Sequence, residues 1–194
     1  KMNDILNLIQ YGNSPIMMGN IPSLIMDEIT EWVDESRRIK NSPLAELKAH
    51  ENFGYQIEEK HNSYQCSISP YLIEKSFWLA WVLRLVAKYS EINDKRKYKL
   101  RKWDGHFDGY DIWTNFSYKG DDNPSHNHAG YISGVIYYKN HNHPTIFDDY
   151  DFSCPGYDGT MVLFPSNVMH HVEPQIEDKE RITLAFNIIK NDAI

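Results

Sequence analysis

Over the first hundred residues apolar positions recur mainly at helical spacing, whereas from Tyr110 onward they fall in short strand-like runs. Leu24, Ile25, Ile29, Trp32 and Val33 share one face of a helix expected to run to about Lys40. Asn20-Ile21-Pro22-Ser23 opens it, with Pro22 near the first turn, where its missing N–H costs little. Ser42-Pro43 breaks the pattern, and a short helical turn is expected to follow through Leu47. Ser69-Pro70 is a second cap and first-turn pair, predicting one long helix from about Tyr71 to Tyr89. Between Phe77 and Val86 that helix is apolar nearly all round, so it should lie buried against a sheet.

The later half reads differently. Ile132 to Tyr138, Thr160 to Pro165 and Arg181 to Phe186 are β-branched and aromatic runs bounded by Gly, Asn, Asp and Pro, the signature of strands. Helices followed by strands predict an α+β protein. No internal repeat or low-complexity linker interrupts the chain. Residues 1–194 therefore read as a single domain, with 1–100 a mainly helical support layer and 101–194 the strand core.

Composition narrows the function classes. A length of 194 residues, with 41% hydrophobic and 24% charged residues, suits an ordinary globular protein with one buried core. The net charge of −7 disfavours nucleic acid as the main partner. The basic stretch 95–102 reads as a solvated strand edge or loop rather than a binding patch. Cys66 and Cys154 are the two cysteines, and no CxxC occurs, which argues against a disulfide scaffold or a zinc ribbon. The opening Lys-Met-Asn-Asp-Ile-Leu lacks the apolar segment of a secretory signal, and the longest apolar run, Phe77 to Leu83, is far too short for a membrane span. The expectation is a cytoplasmic protein.

The chemistry concentrates in histidines and one arginine. Residues i and i+2 of a strand share a face, so His126 and His128 could offer two imidazoles to one ion while Asn127 turns away. His170, before another strand, would complete a facial set with open positions, as non-haem Fe(II) oxygenases use, though imidazole also suits zinc, copper or nickel. His171 adjoins His170, and alternation lets only one of them face the metal. His141-Asn142-His143 lies in the Asn/Pro-rich stretch Lys139 to Pro144, expected to be a surface loop. Asp121 or Asp122 is an alternative ligand in place of His128. The His-Asn-His tripeptide alone does not make an HNH nuclease.

Arg181 leads its strand, with Thr183 on the same face. A planar guanidinium meets a carboxylate in two parallel charge-assisted bonds, so this pair suits a buried dicarboxylate. The charged turn Gln175 to Glu180 is expected to be a hairpin that carries the chain from the His170 strand to the Arg181 strand.

Trp113-Thr-Asn115, His126-Asn-His128, Ser133 to Tyr138, Phe164-Pro-Ser166, His170 and Arg181-Ile-Thr183 to Asn187 together resemble a family of 2-oxoglutarate/Fe(II)-dependent oxygenases from bacteria and marine phages, prolyl-hydroxylase-like in pattern. The resemblance spans about residues 110–187. It implies a double-stranded β-helix, or jelly roll, over 101–194, with Fe(II) and the co-substrate 2-oxoglutarate bound between its sheets and O₂ as second substrate. Carried over, His126 and His170 are metal ligands, Arg181 grips the far carboxylate, and Thr183, Tyr138 and Asn115 are further co-substrate contacts. No catalytic side chain beyond the metal centre is implied. Most of the superfamily has His-x-Asp, whereas this chain has His128 at the second position.

Two other readings share the histidines. Gly120 to His128 and Gly159 to His170 echo the cupin signature, which would give a three-His dioxygenase without 2-oxoglutarate. The cupin Glu is missing, and Arg181-x-Thr183 would have no assigned work there. A non-catalytic jelly-roll module holding structural zinc is the third reading. By analogy the oxygenase substrate leans toward peptidyl proline, with small metabolites and nucleobases as alternatives. Pro144 to Gly159 and Glu51 to Tyr64 are candidate lid elements.

Overall fold

The structure, a computed structural model, describes residues 9–10, 13–42, 63–90, 94–102 and 109–191. The expected helical turn through Leu47 and most of the Glu51–Tyr64 lid candidate lie outside the described residues.

Helix α1 (Ser23–Lys40) forms as the spacing predicts, burying Ile25, Ile29, Trp32 and Val33, with Pro22 at its N-cap. The single long helix predicted next is instead two: α2 (Pro70–Lys75) and α3 (Phe77–Tyr89). Ser76 between them is extended, and its hydroxyl accepts from the Leu79 N–H while donating to the Ile73 carbonyl. Glu28 of α1 accepts the Phe77 and Trp78 N–H groups at 2.8 and 2.9 Å. A carboxylate from a distant helix thus satisfies donors that open every helix, and the chain restarts there. Burial of α3 is one-sided: Trp78, Trp81, Val82, Leu85 and Val86 are buried, but Phe77 is exposed. No helix among the described residues is long and apolar enough to cross a membrane.

Two antiparallel sheets form the body. The larger has eight strands. They are β1 (Ile9–Gln10), β2 (Met17–Asn20), β3 (Tyr64–Ser67), β4 (Tyr98–Leu100), β5 (Ile112–Ser117), β7 (Ile132–Lys139), β10 (Thr160–Pro165) and β12 (Arg181–Lys190). Its order is β1-β2-β10-β7-β12-β5-β3, with β4 paired to the far end of β12. The smaller sheet has the order β6-β11-β8-β9, from β6 (Asn123–His126), β8 (Thr145–Phe147), β9 (Phe152–Cys154) and β11 (His170–Val172). The architecture is α+β, with the two facing sheets of a double-stranded β-helix and helices covering the outer face of the larger one.

Alternation along the central strands divides the core in two. Ile182, Leu184, Phe186 and Ile188 of β12 face the helices, where Phe186 meets Trp78 edge-on at 5.0 Å and Trp78 meets Trp32 at 5.4 Å. Gly134 is required there, because a Cβ at this position would lie 2.2 Å from the Phe186 ring. The opposite face of the sheet packs Tyr137, Val162 and Phe164 against Phe147 and Cys154 of the smaller sheet.

Three expectations are corrected by this layout and a fourth holds. The first hundred residues carry four strands of the larger sheet besides their helices. The Gln175–Glu180 turn is no hairpin: β11 belongs to the smaller sheet and β12 to the larger, so the turn crosses between sheets. Pro144 to Gly159 supplies β8 and β9 rather than a lid. The basic stretch 95–102 is, as expected, an edge: Tyr98 and Leu100 point inward and Lys99 outward.

Candidate metal centre

Between the sheets lies a cavity of about 470 Å³. Alternate residues of β12 (Arg181, Thr183, Ala185 and Asn187) and of β5 (Trp113, Asn115 and Ser117) line one side, and His126, His128 and His170 line the other.

The three imidazoles converge from two strands and a loop. His170 of β11 is the direct cross-strand partner of His126 in β6. His128 lies just past the end of β6, where its N–H donates to the Ser166 carbonyl at 2.8 Å. Ring centroids stand 4.4 Å apart for His126–His170, 4.8 Å for His126–His128 and 5.2 Å for His128–His170. Their ligand atoms lie within 4.8 Å of one another, and no carboxylate joins this set among the described residues. Asp121 is tied to the Tyr118 N–H at 2.7 Å, which occupies it elsewhere.

The donor set fits a metal. Nδ1 of His126 faces the Pro124 carbonyl at 2.8 Å, and Nδ1 of His170 faces the Val168 carbonyl at 3.1 Å. A ring that donates through Nδ1–H presents its Nε2 lone pair, the arrangement ligating histidines use. Burial, and after it the charges of His170, His126 and Arg101, push the His128 pKa down to about 3. Burial, then His126, lowers His170 to about 4. Both rings are therefore neutral at neutral pH, as metal ligation requires. Donors about 2.1 Å from one ion on one face of it stand about 3 Å apart, so the three rings would draw together when an ion binds.

The other histidines among the described residues are occupied elsewhere. His171 faces outward to Asp148 at 2.6 Å and Glu173 at 3.3 Å, as alternation predicts. His141 and Asn142 adopt positive φ in the loop after β7, and the rings of His141 and His143 meet the carbonyls of Glu180 and Glu173.

Arg181 is 7% exposed, and its Nε–H donates to the side-chain oxygen of Asn140. No carboxylate among the described residues pairs with its guanidinium. The adjacent Glu180 turns away to Arg37 at 2.6 Å and to the Tyr118 hydroxyl at 2.7 Å. Burial lowers the Arg181 pKa to about 10, so the group stays charged at neutral pH. A buried, charged guanidinium in a cavity calls for an anion. Thr183 sits two residues along the same face, 3.4 Å from the Asn115 amide, and the Trp113 indole donates to Asn115 at 3.0 Å.

Tyr138 is not part of this group. It packs with the helix-side core and does not line the cavity. The register of β7 on β12 slips here, with Ile182 opposite Lys139 and Thr183 opposite Tyr137, so Tyr138 is the extra residue of a bulge. Inward from it lies Tyr137, fully buried, which donates to the Thr145 hydroxyl at 2.9 Å. Thr145 lines the cavity and provides the hydroxyl on that wall. Counting inward positions forward by twos from Ser133 could have found Tyr137. Nothing local marks Thr145 or Asn140.

The fold is one that solved 2-oxoglutarate-dependent oxygenases share. Residues 150–187, which include His170 and Arg181, match the model of a family described as Putative 2OG-Fe(II) oxygenase. The chain is also similar to solved structures across most of its length. The Arabidopsis thaliana dioxygenase for auxin oxidation, in complex with 2-oxoglutarate, superposes with a TM-score of 0.63 at 10% identity, covering 93% of this chain and 85% of that one. The viral collagen prolyl hydroxylase of Paramecium Bursaria Chlorella virus-1 gives 0.54 at 12% identity, with coverage of 88% and 94%. A Pseudomonas putida prolyl-4-hydroxylase gives 0.53 at 16% identity, with coverage of 90% and 93%. At such identities the likeness establishes the fold. No curated protein matches the sequence.

Proposed function

We propose that the protein is an Fe(II)- and 2-oxoglutarate-dependent dioxygenase that hydroxylates a C–H bond of its substrate. His126, His128 and His170 hold the metal. Arg181, with Thr183 and Asn115, binds the co-substrate. The observation that carries this reading is the buried Arg181 guanidinium, without a carboxylate partner among the described residues, in the same cavity as three convergent imidazoles. A dicarboxylate whose far end meets Arg181 and whose near end reaches the histidines satisfies both features at once. A cupin-type dioxygenase or a structural zinc site leaves the arginine unexplained.

Fe(II), when bound, supplies the redox chemistry that couples decarboxylation of 2-oxoglutarate to succinate and CO₂ with oxidation by O₂. The chain's own part is orientation and shelter. Arg181 and Thr183 fix the co-substrate's far carboxylate, Asn115 steadies Thr183, and the apolar wall of Phe147 and Phe164 beside His170 keeps water from that side of the ligand set.

Peptidyl proline is the substrate class we place first, supported by the fold shared with two prolyl hydroxylases. A cytoplasmic setting suits the two buried, unbridged cysteines. The test is succinate formation by the Fe(II)-loaded protein given 2-oxoglutarate and O₂ with proline-containing peptides and a metabolite panel. Oxygen uptake that proceeds without 2-oxoglutarate would favour the cupin-type reading. Tight zinc with no open position would favour the binding module.

A further inference from the structure

Arg181 owes its orientation to a residue that no sequence pattern singles out. Asn140 is fully buried at the end of β7, and its side-chain oxygen accepts the Arg181 Nε–H. Its amide nitrogen donates to two carbonyls, those of His143 and Gly156, each at 2.6 Å. Its backbone N–H is held by Asp158 at 2.6 Å. The bulge at Tyr138 shifts the alternation by one, so that Lys139 is exposed and Asn140 turns inward. Gly156 completes the mounting: φ is +59° there, and a Cβ would stand 2.3 Å from the Asn140 amide nitrogen.

A side-chain amide has one end that accepts and one that donates. With the donor end committed to two carbonyls, only the oxygen can face Arg181. Occupying Nε in this way leaves the two terminal nitrogens as the edge that meets a ligand, and that edge has the fork spacing of a carboxylate. An aspartate here would bind Nε equally well but would neutralise the charge. The neutral amide orients the arginine without competing for it.

We propose that Asn140 is the positioning residue of the co-substrate pocket, holding Arg181 so that its terminal edge accepts the distal carboxylate of a 2-oxo diacid. This rests on the reading of Arg181 given above. Selectivity for the diacid over a 2-oxo monoacid then depends on Asn140 as well as on the arginine.

The experiment uses the full chain loaded with Mn(II), titrated calorimetrically with 2-oxoglutarate and with pyruvate, which carries the same metal-binding end but no distal carboxylate. Wild type is expected to prefer 2-oxoglutarate. Asn140→Ala should weaken 2-oxoglutarate about tenfold and Asn140→Asp about a hundredfold, the range of lost charged hydrogen bonds. Both should leave Mn(II) and pyruvate binding unchanged, which a general structural lesion would not do. Variants that bind 2-oxoglutarate as wild type does would overturn the proposal. If both variants lose Mn(II) as well, the wild-type protein decides by NMR. The Arg181 Nε–H should be protected from exchange before any co-substrate is added, and exchange at the rate of a free arginine overturns the assignment. A wild type that fails to distinguish 2-oxoglutarate from pyruvate would instead sink the co-substrate reading, and the exchange measurement would still report on the Asn140–Arg181 contact.

Discussion

His126 and His170 are direct cross-strand partners in the smaller sheet, with ring centroids 4.4 Å apart, although 44 positions separate them (170 − 126). Strand pairing alone brings two of the three candidate ligands together, and His128 closes the set from the loop that follows β6. Because the pair is built into the ladder, the site is preorganised before any ion arrives.

Removing His170 should therefore cost metal affinity more than it costs the fold. His170→Ala is expected to weaken Fe(II) or Mn(II) binding by more than about a hundredfold, since a ligand matters more than the outer partners that contribute tenfold to a hundredfold. Calorimetry checks this. His128→Asp, which restores a carboxylate at the second position, should retain binding. Unaltered affinity in His170→Ala would remove that residue from the metal site.

Arg181→Ala is expected to raise the apparent Kd for 2-oxoglutarate by at least about two orders of magnitude, the effect of losing a bidentate charged contact. Metal affinity should not move. Arg181→Lys should recover only part of the loss, because an ammonium is a point charge without the fork. A full recovery would show that charge alone matters there.

The two neighbouring tyrosines and Thr145 separate the inner face of β7 from its outer one. Thr145→Val should weaken 2-oxoglutarate roughly threefold to tenfold, the usual range for one neutral hydrogen bond. Tyr138→Phe should change nothing in co-substrate affinity, because that ring packs toward the helices. The reverse ranking, read from KM values, would contradict the register described here.

Acid should weaken the metal-free protein through its histidines. In the unfolded chain they take up protons below about pH 6.5, but in the fold His128 and His170 resist until about 3 and 4. The unfolded state thus binds more protons across that window, and stability falls as pH drops from 6.5 toward 4. The slope is on the order of 1.4 kcal/mol per pH unit for each group. Urea unfolding in chelator at pH 7 and pH 5 measures it, and His128→Asn should flatten the difference. Stability that holds or rises on acidification would refute this account.

Gly134→Ala should destabilise the helix-facing core by about 1–3 kcal/mol, because the new Cβ meets the Phe186 ring that Trp78 holds edge-on. For a chain of this size that lowers Tm by roughly 2–4 °C per kcal/mol. Thermal unfolding is the check. An unchanged Tm would mean the ring has room to turn.

Much of the site was legible in local pattern. Alternation turned His171 away from His170 and set Thr183 beside Arg181, because side-chain direction in a strand has a period of two. His126 and His128 do meet, but His128 comes from the loop after β6 and not from the shared strand face that was expected. The α1 face and the strands from Ile132 onward followed from the same kind of reasoning. What periodicity leaves undecided is which face looks inward and which distant strand lies alongside. A one-residue bulge at Tyr138 brought Asn140 onto Arg181, and Thr145, on another strand, supplies a hydroxyl to the cavity wall. A carboxylate from another helix, Glu28, satisfied the first N–H groups of α3 where a continuous helix was predicted. Such outcomes depend on contacts between residues far apart in the chain, so only the folded arrangement decides them. The residue types and their spacing determined what chemistry was available; the pairing of the two sheets decided where it converged.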